Sequence, residues 1–505
     1  MSDEIKDMNA ISDETADKIA VRQVAESNEN LLPDTSNYEV DDSIYDDEED
    51  LSGGKSKKKK KYKKPLNPAQ RKKRTIRDLI ITGSVFLVLA IFFSSVAIAN
   101  TVGVKALLKN ASSFAQVEYT QHEQLKPILD ETDGYWTFTA EDERDFKVMQ
   151  FTDVHIGGGT FSNTKDLWAM NAVATMIKLE QPDLVIITGD IAYPVPFQAG
   201  TFNNLAATQI FATMMENLGV YWTFAFGNHD TEMYSMYERK DICDYYENAG
   251  FKYCLFNRGF ASEERGYGNN IIKVKNNDGV ITQALVTLDS HSYIDGDYFG
   301  AAWKYDNIHQ SQVDWYVGEM QELVKANDKL ADEKPELGIV KGAPVKNMAF
   351  FHIPLVEYRE AWAEIFEANG GSKEITVKET EHVKHHYGIM GESDGQKNGK
   401  RTYGVFCGMH EDEFFEQGVL NGLQGTFCGH DHYNNFSIDY TKEVDGKEYT
   451  VRLTYGMSID YLAYPGIYKE HSQRGCTVIE VNADGDFSTT PKNYYEYEGV
   501  VHEKD

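Results

Sequence analysis

The sequence predicts an α/β fold built on a sheet with covered faces, and three observations carry that prediction. Short apolar runs recur from Phe146 onward: "FKVMQFT", "PDLVIIT", "VYWTFAF", "QALVTL" and "KNMAFF". Each has strand length and is rich in β-branched or aromatic residues. The stretches between the first three, 163–181 and 203–218, have helical spacing, as do 308–326 and 355–369; alternation of this kind marks layered α/β architecture. Polar residues, finally, collect just past the C-terminal ends of the runs, where open α/β sheets form their ligand crevice.

Taken in order, the chain begins with an expected disordered cytoplasmic tail, 1–77. It is acidic and poor in large apolar residues through residue 54, then strongly basic from Lys55. Leu79 to Ala99 carry no charge, and roughly 20 apolar residues suffice to cross a bilayer. A transmembrane helix is therefore expected over 78–100. The basic flank before it places the N-terminus in the cytoplasm and the rest of the chain outside a cell membrane, with the lysines against anionic lipid heads. Ala97-Ile98-Ala99 matches a signal-peptide cleavage pattern, but the long polar tail ahead of it favours an uncleaved anchor.

Residues 101–145 are expected to form a stalk and entry segment, and 146–490 one catalytic-size domain. Within it, 370–412 is polar, glycine-containing and irregular, and reads as an inserted loop or lid; its His382, His385 and His386 read as a solvated face. After residue 420 the pattern turns to strands, "LQGTFC", "NNFSIDYT", "EYTVRLTY" and "GCTVIEVN", before a C-terminal tail at 491–505. A net charge of -30 over 505 residues excludes a general nucleic-acid binder. Five cysteines are too few for a disulfide framework. Cys243 with Cys254 and Cys407 with Cys428 remain open as pairs, with reduced thiols as the alternative.

The strand ends carry Asp153 and His155, then Gly189-Asp190, Gly227-Asn228-His229-Asp230, His352, and Gly429-His430-Asp431-His432. Carboxylate, imidazole and carboxamide without thiolate suit metals such as Mn, Fe or Zn. Asp-x-His and His-x-His spacings put paired side chains on one side of an extended segment, and the glycines let the chain turn where a β-carbon would clash. Asp153, His155, Asp190, Asn228, His352, His430 and His432 exceed what one ion needs; two ions sharing a carboxylate would use them all.

In combination and order these motifs resemble the calcineurin-like metallophosphoesterases over roughly residues 146–482. "FFHIPLVEY", "CGHDHYNNF" and "GMSIDYLAYPGIYKEHSQRGCTVIEV" resemble more narrowly the purple-acid-phosphatase-like branch. The resemblance implies a four-layer α/β/β/α sandwich. It also implies two metal ions, the first on Asp153, His155, Asp190 and His432, the second on Asp190, Asn228, His352 and His430. His229 is similar to the family's leaving-group histidine, with Asp230 orienting it. Tyr193 stands where the branch has a ferric-iron ligand, but His155 replaces the glycine of its Asp-x-Gly motif, so Tyr193 reads as packing near the site. With Asp289 and His291 it is a candidate for the substrate rim.

The implied function is a membrane-anchored, extracytoplasmic phosphatase. It would hydrolyse phosphomonoesters, of small molecules or lipid headgroups, with a water activated between two ions. A phosphodiesterase on the same site, for cyclic nucleotides or phospholipid headgroups, is one alternative. A non-catalytic envelope binding protein is the alternative of another class.

Overall fold

In the computed structural model, which describes residues 67–503 apart from 142, 260, 261, 263, 298, 299, 301, 373, 374, 398, 399 and 411, two sheets organise the chain. The expected disordered tail lies outside the described residues up to residue 66. The chain divides into two units between Leu79 and Ile80. The described part of the first is the opening of helix α1 (Pro68–Ala111), one helix long and apolar enough to cross a membrane.

In the second unit a five-stranded sheet is built from β3 (Phe146–Phe151), β4 (Leu184–Thr188), β5 (Tyr221–Ala225), β15 (Gly475–Val481) and β16 (Phe487–Asn493). Its order is β16-β15-β3-β4-β5, with β3, β4 and β5 parallel. All five residues of β4 are buried, which is why it reads as an unbroken apolar run rather than an alternating one. Pro491 is tolerated because β16 is an edge strand.

A nine-stranded mixed sheet uses β1 (Ile128–Leu129), β2 (Trp136–Thr139), β6 (Asn270–Lys275), β7 (Ile281–Thr287), β8 (Asn347–Phe350), β9 (Val383–Tyr387), β12 (Leu423–Cys428), β13 (Ser437–Val444) and β14 (Lys447–Tyr455). They run in the order β1-β2-β6-β7-β8-β12-β14-β13-β9. Hairpin β10 (Ser393–Lys397) and β11 (Lys400–Tyr403) stands apart.

The helices follow the expected spacing: α2 (Asn163–Glu180), α3 (Asn204–Leu218), α5 (Gln310–Glu333) and α6 (Val356–Ala368). The ends of α3 are set by its sequence. Asn203 accepts from Ala206 N at 3.1 Å, and Gly219 takes φ 70 at the C-terminus. Helices α4 (Arg239–Asn248) and α7 (Phe414–Leu420) are additional; α4, "RKDICDYYEN", turns Ile242, Cys243 and Tyr246 into the core. Three large apolar clusters hold the domain. One joins β3 to β5 to α2 and α3 through residues such as Met149, Ile177, Phe211 and Trp222. Another joins the two sheets through Val148, Ile186, Met348 and Phe427. The third joins the nine-stranded sheet to α5, α6 and α7 through Tyr316, Trp362 and Phe414.

Both flanks differ from expectation. The segment 101–145 is an entry segment more than a free stalk: it supplies β1 and β2, and β2 pairs with β6. Asn100, still on α1, accepts from Thr160 N at 2.7 Å and donates to Gly200 O at 2.7 Å. Residues 494–503 pack too, with Tyr494 buried and Tyr461 donating to Glu503 at 2.6 Å. The insertion 370–412 is partly sheet, since β9 pairs with β13. All five cysteines are free thiols.

Candidate metal centre

Five loops leave the C-terminal ends of β3, β4, β5, β8 and β12, so both sheets feed one rim. Buried Gln150 ties them together by donating to Thr188 Oγ1 at 2.9 Å and to the Cys428 carbonyl at 3.0 Å. On the rim, His155 Nε2 lies 3.1 Å from Asp190 Oδ2, and His432 Nε2 lies 3.4 Å from Asp153 Oδ1. The donor atoms of Asp153, His155, Asp190 and His432 are all within 4.8 Å of one another. On the other side of Asp190, His352 Nε2 lies 3.2 Å from the same Oδ2. It is also 3.1 Å from Asn228 Oδ1 and 3.3 Å from His430 Nδ1. Two donor sets thus meet at one carboxylate.

Whether these residues fit metal ions follows from the outer hydrogen bonds. His352 Nδ1 is 2.8 Å from the Thr188 carbonyl, which only accepts, so the neutral ring keeps its lone pair on Nε2. Asn228 Nδ2 donates to Tyr293 Oη at 3.0 Å, which turns Oδ1 inward. A nitrogen lone pair therefore faces a carboxylate and a carboxamide oxygen, an arrangement that requires positive charge among them. In the first set, Nδ1 of His155 and of His432 lie 3.2 and 2.9 Å from the two oxygens of buried Asp460. Both contacts are off-axis, charge contacts more than linear hydrogen bonds. A carboxylate behind each imidazole is the usual backing of a metal-ligating histidine. The donors fit a pair of borderline divalent or trivalent ions.

The electrostatics express the same demand. Burial alone would lower His155 and His352, yet Asp460 with Asp190, and Asp190 respectively, raise each to about 9. Burial would raise the Asp190 carboxyl, but His352, His229 and His155 hold it well below the usual range.

The backbone reaches this geometry differently from the expected extended Asp-x-His. Asp153 and His155 have φ 50 and 52, Asp190 54 and His430 80, all left-handed without being glycine. Such strain is kept only where surrounding bonds over-determine it. Here Asp153 N donates to Gly189 O at 3.2 Å, and His155 N to Asp190 O at 3.0 Å. Of the motif glycines only Gly189 turns the chain with φ 88. Gly227 and Gly429 are needed for close approach: a β-carbon would sit 2.1 Å from Asp190 Oδ1 in one case and 1.8 Å from Thr152 Oγ1 in the other.

Asp230 does not orient His229. Its carboxylate accepts from the backbone of Asp190, Ala192 and Gly227 at 3.0, 2.8 and 2.8 Å, stitching two donor loops together. Burial and the Asp190 charge push its carboxyl up to about 6. The partner of His229 is Glu232, with Nδ1 to Oε1 at 2.6 Å, and Tyr293 Oη donates to the same oxygen at 3.1 Å. Tyr193 lies with its ring against His155 and His229, but its hydroxyl donates to Gln198 at 3.1 Å, away from the donors.

Asp289 is tied to Arg239 and to Tyr267 N, and His291 to Gln312 at 2.9 Å. Both border a cavity of about 510 Å³ that contains none of the seven donors. A second cavity, about 360 Å³, has His229, His430 and His432 in its wall. His382, His386 and His385 are used separately, facing Glu364, Asp439 and the Gly388 carbonyl. Sequence reasoning missed Glu232, Tyr293 and Asp460. Asp460 follows the end of β14, so the strand-end rule already in use pointed to it.

A calcineurin-like phosphoesterase family model matches residues 146–434. A protein of Arabidopsis thaliana named probable inactive purple acid phosphatase 29 is 24% identical over 355 residues, covering 67% of this chain and 77% of its own. Probable inactive purple acid phosphatase 28 of the same plant is 23% identical over 319 residues, 58% and 67% of the two chains. Phosphatase DCR2 of Saccharomyces cerevisiae is 26% identical over 336 residues, 62% and 48% of the two chains. The chain belongs to the calcineurin-like phosphoesterase family, on its purple-acid-phosphatase-like branch.

Proposed function

We propose that this chain is a membrane-anchored, metal-dependent phosphatase hydrolysing phosphomonoesters outside the cytoplasm. The observation that carries the reading is the sharing of Asp190 between two complete donor sets. Asp153, His155, Asp190 and His432 would hold one ion, and Asp190, Asn228, His352 and His430 the other. Bound there, the pair supplies an acidified water as nucleophile and positive charge for the phosphoryl oxygens.

The chain's own groups manage the proton. With Nδ1 held by Glu232, His229 keeps Nε2 for a proton, and its ring lies in the wall of the 360 Å³ cavity. That supports His229 as the general acid for a departing alkoxide. Tyr293 links Glu232 to Asn228, so one hydrogen-bonded chain joins the proton donor's partner to the second donor set. The succession of apolar clusters, helices on sheet, sheet on sheet and sheet on helices, supports a four-layer sandwich. The uncharged stretch of α1, about 32 Å at 1.5 Å per residue, supports a single span, and the lysines before it support a cytoplasmic N-terminus.

A non-catalytic binding role is the second reading, because two plant relatives carry "inactive" in their names. The complete donor sets favour catalysis. The test is turnover by the full chain, loaded with Mn, Fe or Zn, of p-nitrophenyl phosphate and of bis(p-nitrophenyl) phosphate. Monoester turnover that Asp190→Ala abolishes is expected. Diester turnover alone would move the reading to a phosphodiesterase, and two bound ions without any turnover would leave the binding role. Protease digestion of sealed vesicles, with the catalytic domain on the extracytoplasmic face, checks the orientation.

A further inference from the structure

The cavity that shares His229, His430 and His432 with the donor rim has an outer wall of a particular chemistry. Its aromatic faces are Trp303, Tyr305, Phe406 and Tyr464, and its ionisable groups beyond the histidines are Glu392, Asp394 and Asp431. No lysine or arginine lines it among the described residues. This is the reverse of what a second phosphate, a nucleotide polyphosphate or an acidic peptide would need.

The acidic groups are not equivalent. The Asp431 carboxylate is anchored through Oδ2, which accepts from Tyr455 Oη at 2.6 Å, Phe406 N at 3.1 Å and Asn434 Nδ2 at 3.2 Å. Asp394 is exposed. Glu392 is only 8% exposed, and one of its oxygens accepts from Tyr433 N at 3.2 Å. No lysine or arginine among the described residues pairs with it, and the positive group that acts on it is the imidazole of His432, already a member of the first donor set. A buried carboxylate with so little compensation calls for a cation. Aromatic faces beside it favour a weakly hydrated one: Trp303 is 67% exposed and Tyr464 stacks on Tyr433 at 5.8 Å. Carboxylate plus aromatic walls is how proteins recognise alkylammonium groups.

We propose that this cavity receives the alkylammonium end of a small phosphate ester, an O-phosphorylated amino alcohol of the ethanolamine or choline class, while its phosphate meets the Asp190 rim. The inference rests on the phosphatase reading and names its substrate class. The inserted segment, which supplies Glu392, Asp394 and Phe406, is then the specificity wall of the site.

The test uses the full chain in maltoside micelles, loaded with manganese. The kcat/KM for O-phosphocholine is compared with that for 3,3-dimethylbutyl phosphate, its uncharged isostere, with p-nitrophenyl phosphate as a control. Phosphatidylcholine vesicles form a separate arm. A preference of at least about tenfold for the charged ester is expected. Glu392→Gln should bring that ratio toward one, and Trp303→Ala, at an exposed position, should lower it.

Binding of choline chloride by calorimetry, weakened in both variants, gives a readout independent of turnover. Hydrolysis of p-nitrophenyl phosphate without discrimination between the two esters would overturn this inference and leave the phosphatase reading standing. So would a preference that survives both substitutions. Choline binding that depends on Glu392 with no ester hydrolysed would sink the phosphatase reading instead. Cleavage in the vesicle arm alone would retain the ammonium recognition and assign it to a lipid headgroup.

Discussion

Replacing Asp460 by Asn keeps the size of the side chain and removes the charge lying 3.2 Å from His155 Nδ1 and 2.9 Å from His432 Nδ1. Both rings belong to the first donor set, and neither His352 nor His430 touches Asp460. Losing a carboxylate behind a metal-ligating imidazole costs about 10–100-fold in affinity, or about 1.4–2.8 kcal/mol. Two of four ligands are weakened here, so the upper part of that range is expected for the first ion and less than about threefold for the second. Asparagine can still accept from Leu462 N and Ala463 N, now 2.6 and 2.9 Å from Oδ1, so the local turn should persist. The assay is metal content after dialysis against graded Mn buffers, with competition titration for each step. Wild type should hold two ions where Asp460→Asn holds one. Unchanged affinity at both steps, or parallel loss of both ions, would refute the idea that Asp460 backs one site selectively.

Glu232→Gln leaves His229 without its charged partner at 2.6 Å. It should cut kcat for an alkyl phosphate by about 10²-fold while sparing p-nitrophenyl phosphate, whose leaving group needs no proton; equal losses would count against His229 as the acid. Tyr193→Phe should change turnover less than about twofold, and iron-loaded protein should lack visible tyrosinate-to-iron absorption, since the hydroxyl faces Gln198. A visible band abolished by the substitution would place Tyr193 on the metal. Gly227→Ala, whose β-carbon would meet Asp190 N at 2.4 Å, should abolish binding of both ions, read by metal content. Asp166, whose carboxylate accepts from Gly157 N and Gly158 N, is raised by burial to about 6. Its folded value exceeds its unfolded one, so it stabilises fully below about pH 4 and that contribution is lost as pH rises through about 6, of order 1–3 kcal/mol. Asp166→Asn should flatten that part of the stability–pH profile, measured by denaturant unfolding.

Strands β3, β4, β5, β7, β8 and β12 to β15, and the long helices, were legible because their apolar spacing records burial residue by residue. So were the places of the seven candidate donors, since each stands where a buried run ends. Strand β2 and the β9 edge were not, because their residues gain partners only from distant chain: β2 from β6, and β9 from β13. The partners of the donors also escaped the one-dimensional pattern. His229 has Asp230 beside it in sequence, yet the backbone spends Asp230 on three amides and turns Glu232 to the ring. His430 meets Asp153 across 277 positions. The local alphabet of burial and turning thus specified which elements form and which side chains stand at their ends. Which carboxylate backs which imidazole, and the acidic aromatic wall beside them, depended on how two sheets pack. Hydrogen bonds and charge contacts act over a few ångströms in space, and only the folded chain sets those distances.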